Sequence, residues 1–107
     1  LKVADEEELL ARTEELESIL LSDTATPQEK NDAYEELQTI HKTESEKEAI
    51  VKLIKDEYKL DSVVQIENNN ITVTIASTTH DAALANNMIR SIQALYDQDK
   101  YITVKFS

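Results

Sequence analysis

The chain has 107 residues with no cysteine, no glycine and a single proline, and its 22 acidic against 11 basic side chains give a formal net charge of −11. That length supports one modest core with at most an appendage. The missing cysteines exclude a disulfide framework and thiol chemistry, and the acid excess leaves no basic stripe of the kind that binds nucleic acid or an anionic membrane.

From about Asp5 to Leu21 strong helix formers carry an apolar stripe of Leu9, Leu16, Ile19 and Leu20 among glutamates, which predicts a helix. Ser22 to Thr26 interrupts the pattern. Thr26-Pro27-Gln28-Glu29 then pairs a capping box with proline at the first helical position, a combination that marks a helix start. The second helix has its stripe at Tyr34, Leu37 and Ile40 or His41, and we expect it to pack on the first as an antiparallel pair. Residues 41–48, HKTESEKE, hold no apolar side chain, after which Ile50, Val51, Leu53, Ile54 and Tyr58 resume helical spacing. Either one helix runs from Pro27 to about Lys59, or it breaks near Thr43, where Thr43-x-x-Glu46 and Ser45-x-x-Glu48 are further capping boxes. With no proline or glycine to enforce a break, the continuous helix is favoured.

Ser62 to Ser77 switches to a period of two. Ile71, Val73 and Ile75 alternate with Thr72, Thr74 and Ala76, and Val64 and Ile66 with Val63, Gln65 and Glu67, which predicts two half-buried strands. Asn68, Asn69 and Asn70 stand between them, and in a chain without glycine asparagine is the residue that tolerates the positive φ of a tight turn. Ser77 to Asp81 supplies an N-cap and an acid for the first turn of another helix. Its inner face is Ala85, Met88, Ile89, Ile92 and Leu95 or Tyr96, with Asn86, Asn87, Arg90 and Gln93 outward. A polar loop from Asp97 to Lys100 leads into a third strand, Tyr101 to Ser107, with Ile102, Val104 and Phe106 on one face.

The expected class is α+β: an acidic helical extension over residues 1–43, its second helix able to run on, then an α-β-β-α-β domain over residues 44–107. Two helices on one face of a three-stranded sheet bury every apolar face. The other sheet face, with Val63, Gln65, Thr72, Thr74, Tyr101, Thr103 and Lys105, is left open. We take Val63, Thr72, Thr74 and Tyr101 on that face, and Asn87 and Arg90 on the outward side of the last helix, as candidate partner-binding residues. They expose polar or amphipathic side chains that the fold does not need.

Chemistry is sparse. His41 and His80 lie in different elements without zinc-ligand spacing. Asp97-x-Asp99 opens like a calcium loop, but no glycine or bidentate glutamate follows. The acids at Asp5 to Glu8 complement a helix dipole. Without glycine there is neither a phosphate-cradling loop nor the GXXG loop of an RNA clamp. No histidine is spaced to activate a serine or threonine. We expect no enzyme, no cofactor and no metal.

The element order, with SEKEAIVKLIKD, VVQIENNNITVTI and AALANNMIRSI behind an acidic helical segment, resembles the family of stage III sporulation protein AH ectodomains. These are related to the ring-building domains of type III secretion and flagellar basal bodies. The likeness covers roughly Glu44 to Ser107; the front half matches in being acidic and helical. It implies a membrane-anchored mother-cell protein whose outer domain meets stage II sporulation protein Q of the forespore, in the space between the two membranes during engulfment. It also implies a channel ring in which copies of the chain associate. No span here reaches the roughly 20 apolar residues that cross a bilayer. The start on Leu1, without a basic leader, leads us to expect a segment of a longer protein whose membrane helix lies upstream. The competing reading is a regulatory or chaperone-like binding domain that engages a basic partner through its acidic helices.

Overall fold

The computed structural model describes residues 2–78 and 80–107, with the side chains of residues 2–5 left aside. The elements in chain order are α1 (Lys2–Leu21), α2 (Pro27–Tyr58), β1 (Ser62–Glu67), β2 (Asn70–Ile75), α3 (Ala82–Gln93) and β3 (Tyr101–Phe106). Packing separates two compact units, Leu1–Glu44 and Ser45–Ser107. α2 is unbroken through residues 41–48 and contributes to both.

In the first unit Leu16 of α1 and Ala33 and Leu37 of α2 are buried, with Ile19, Leu20 and Ile40 packed around them. The capping box forms as its residues dictate. The Thr26 amide donates to Glu29 Oε1 at 2.9 Å and the Glu29 amide donates to Thr26 Oγ1 at 3.1 Å, satisfying two otherwise unpaired donors at the start of α2. The stripe on α2 differs from expectation by one position. Tyr34 is 55% exposed and His41 is exposed, while Ala33 faces α1 at 3% exposure. Ala33, Leu37 and Ile40 keep the i, i+4, i+7 spacing, and a methyl group lets two helices approach where a phenol would hold them apart.

In the second unit the strands form one sheet in the order β1-β2-β3. β1 pairs antiparallel with β2, and β2 pairs parallel with β3. The hairpin turn uses two asparagines: Asn68 takes φ 57°, and Asn70 is already the first residue of β2, opposite Glu67. Register lines up three core-facing rows, Ser62–Ile75–Phe106, Val64–Val73–Val104 and Ile66–Ile71–Ile102. Ile50 and Ile54 of α2 and Met88 and Ile92 of α3 close over these rows, each with no exposed surface. Every such fully buried side chain contributes about 2 kcal/mol of burial free energy.

Local chemistry ends the helices. α2 stops at Lys59, whose φ of 61° is the left-handed turn that glycine usually supplies. The Lys59 amide still donates to the Lys55 carbonyl at 3.0 Å, and its ammonium donates to the Asp56 carbonyl at 2.8 Å. α3 starts at Asp81, which is itself the N-cap, its carboxylate accepting from the Leu84 amide at 3.1 Å. The first turn holds no acid. The expected cap segment includes Thr79, which lies outside the described residues. Of the paired expectations on α3, Tyr96 packs on the core and Leu95 is 50% exposed.

Candidate docking surface

The side chains opposite the core rows form a second set of three rows: Val63–Thr74–Lys105, Gln65–Thr72–Thr103 and Glu67–Asn70–Tyr101. Strand pleating requires this, because residues across from one another in register share a face. None of the nine is buried. The face carries one carboxylate and one ammonium, at diagonally opposite corners, with threonines and amides between. Tyr101 is 74% exposed, an aromatic ring held on a strand and left without intramolecular cover.

Val63, Thr72, Thr74 and Tyr101 therefore stand together. Asn87 and Arg90 do not join them: both are exposed on α3, which packs its Met88 and Ile92 against the opposite side of the sheet. The candidates describe two separate surfaces. Asn70, expected in the turn, belongs to this face. Its place in the row depends on a two-residue loop, and three consecutive asparagines do not say where a turn ends.

One end of the face is anchored. The Tyr101 amide donates to the Asn69 carbonyl at 2.9 Å, and Lys100 Nζ donates to Asn69 Oδ1 at 3.1 Å while lying 5.0 Å above the Tyr96 ring. Burial first, then the charge of the hydrogen-bonded Glu46 carboxylate, pushes the Tyr96 hydroxyl up to about 12. At the far end of α3's partner strand the His80 ring meets Phe106 at 5.8 Å.

Elsewhere, a shallow depression of ≈ 400 Å³ beside the α1–α2 turn is lined by Glu15, Ser18, Ile19, Ser22, Thr24, Ala25 and Glu29. Its two carboxylates are engaged, Glu15 by Arg12 and Glu29 by the Thr26 amide and hydroxyl, which hold the Glu29 carboxyl below the usual range. Among the described residues no group of three or more histidine or acidic side chains could hold a metal ion, and no helix is long and apolar enough to cross a membrane.

The second unit is thus an α+β layer of the α-β-β-α-β order, with two helices on one face of its sheet and the other face open. In sequence the chain is similar to stage III sporulation protein AH of Bacillus subtilis (strain 168), at 30% identity over 93 residues, or 87% of this chain. It spans 43% of that protein's length. In fold it is similar to a chain in the solved structure of the SpoIIQ-SpoIIIAH pore forming complex, with a TM-score of 0.78 and 27% identity over 99% of this chain and 92% of that one. No family model matches it. Together the sequence and the fold identify a SpoIIIAH-like domain.

Proposed function

We propose that the chain is a structural assembly domain of a trans-envelope sporulation channel complex, docking with the SpoIIQ protein of its own organism between the mother-cell and forespore membranes. The observation that carries this reading is the fold match over 99% of the chain to a component of the SpoIIQ-SpoIIIAH pore forming complex. The docking surface we assign is the open sheet face. It is preorganised on paired strands, carries no net charge, and presents Tyr101, one of the residue types enriched where binding energy concentrates. On this reading the work of the chain is recognition rather than catalysis.

A second reading draws on the first unit, where residues 1–44 carry 4 basic against 13 acidic side chains, and assigns recognition of a basic partner to α1 and α2. Titrating the chain calorimetrically with the soluble domain of SpoIIQ tests both. The proposal expects a stoichiometric complex that survives conversion of Glu6, Glu7, Glu8, Glu14 and Glu17 to glutamine. No complex at micromolar concentrations would overturn it. A complex lost only on those five changes would move recognition to the acidic helices.

A further inference from the structure

Gln93 ends α3 on a face that periodicity gives to solvent, yet both the nitrogen and the oxygen of its carboxamide are engaged. Nε2 donates to the Gln98 carbonyl at 2.6 Å, and Oε1 accepts from the Lys100 amide at 2.8 Å. A carboxamide places a donor and an acceptor on one planar group, and here that group closes the loop of residues 94–100 from within. The loop contains neither glycine nor proline, and its turn formers are Asp97 and Asp99. The side chain of Gln93 adds a constraint across it.

That loop decides where β3 begins. An antiparallel pair inherits its register from a short hairpin, but a parallel pair is joined by a crossover and has no such guide. Here the crossover ends at Lys100, whose amide is held by Gln93 and whose ammonium is held by Asn69 and the Tyr96 face. The next residue, Tyr101, then falls opposite Asn70 and donates to the Asn69 carbonyl. Packing of Ile102 and Val104 against the core forbids a slip of one residue, whereas a slip of two keeps the faces and moves Tyr101 away from Asn70.

The geometry points to Gln93 as a positioning residue for the docking face: by clamping the α3–β3 loop it sets the β2–β3 register and places Tyr101 opposite Asn70. Its consequence for binding rests on the docking reading above; its consequence for register does not.

The test uses the full chain with Gln93→Met, which keeps length and removes both hydrogen bonds, and Gln93→Glu, which keeps the acceptor for Lys100 and removes the donor to Gln98. Amide hydrogen exchange and affinity for the soluble domain of SpoIIQ are read on each. Gln93→Met should raise exchange at Lys100 and Tyr101 about thirtyfold, as expected for losing two net hydrogen bonds, while the amides of Val73 and Ile92 keep their protection. It should weaken binding, with Gln93→Glu intermediate, and cost nothing further on a Tyr101→Ala background. Unchanged exchange at Tyr101, or additive losses with Tyr101→Ala, overturns the proposal. Faster exchange at Tyr101 with normal binding by both Gln93→Met and Tyr101→Ala overturns the docking reading and the binding half of this proposal with it.

Discussion

Arg12 and Glu36 meet in a two-pronged ion pair across the helical pair, Nε to Oε2 at 2.6 Å and Nη2 to Oε1 at 2.7 Å. The planar guanidinium matches both carboxylate oxygens, which a lysine cannot do. The hydrogen bond from Arg12 holds the Glu36 carboxyl below its usual 4.5. A depressed carboxyl contributes stability that is complete above its unfolded value and is lost as the pH falls through the folded one. Both side chains are exposed, so the contribution is small and screened by salt. Arg12→Ala should lower the melting temperature slightly at neutral pH and low salt. The gap to wild type should close as the pH drops below 4.5 or salt is raised, as read by far-UV circular dichroism.

The core of the second unit predicts a larger effect. Ile75 has no exposed surface and sits in a row between Ser62 and Phe106. Ile75→Ala should cost about 3 kcal/mol in urea unfolding, combining lost transfer energy with a cavity. Ile75→Asp should unfold the unit, because it buries an unpaired charge. A folded Ile75→Asp chain with native near-UV signal would contradict the assignment of this row to the core.

Among the described residues two take positive φ, Lys59 at 61° and Asn68 at 57°. The left-handed region costs a residue with a β-carbon about 1–2 kcal/mol, less for asparagine. Lys59→Gly should therefore stabilise more than Asn68→Gly, offset by loss of the ammonium that caps the Asp56 carbonyl. Asn68→Val should destabilise the hairpin by at least the upper end of that range. Denaturant midpoints rank the three; an unaffected Asn68→Val would place the turn elsewhere.

These positions also show what the residues disclosed. Strands with one buried face were legible, since Ile71, Val73 and Ile75 alternate with threonine and alanine, and Ile102, Val104 and Phe106 with Tyr101, Thr103 and Lys105. The open face followed from the same alternation, without the parallel pairing or register that aligns its rows. On α2 the stripe was legible to within one position: Tyr34 and Ala33 differ by one helical step, and hydrophobic size favours the residue that packing rejects. Lys59 gave no signal because a left-handed cap without glycine can fall on many residue types. Gln93 gave none because its partners are loop backbone atoms, which no side-chain period encodes.

Charge makes a prediction about self-association. Residues 1–44 carry 4 basic against 13 acidic side chains and residues 45–107 carry 7 against 9, so copies repel mainly through their first units. At physiological ionic strength the reach of that repulsion falls to about 8 Å. Sedimentation should show weak association between copies at low salt that strengthens as salt rises. A stable homo-oligomer at low salt would contradict this.

The measurement that bears most directly on the docking assignment is the affinity of the full chain for the soluble domain of SpoIIQ, compared among wild type, Tyr101→Glu and Arg90→Glu. Retained folding is checked by near-UV circular dichroism. Tyr101 stands on the open sheet face and Arg90 on the outward side of α3, so the pair separates the two candidate surfaces. The account predicts that Tyr101→Glu weakens binding more than about tenfold, the loss expected when an aromatic contact residue is replaced by a charge, and that Arg90→Glu leaves it within about threefold, as for a charge outside the contact surface. Wild-type affinity for Tyr101→Glu beside a large loss for Arg90→Glu would contradict it and move the interface to α3.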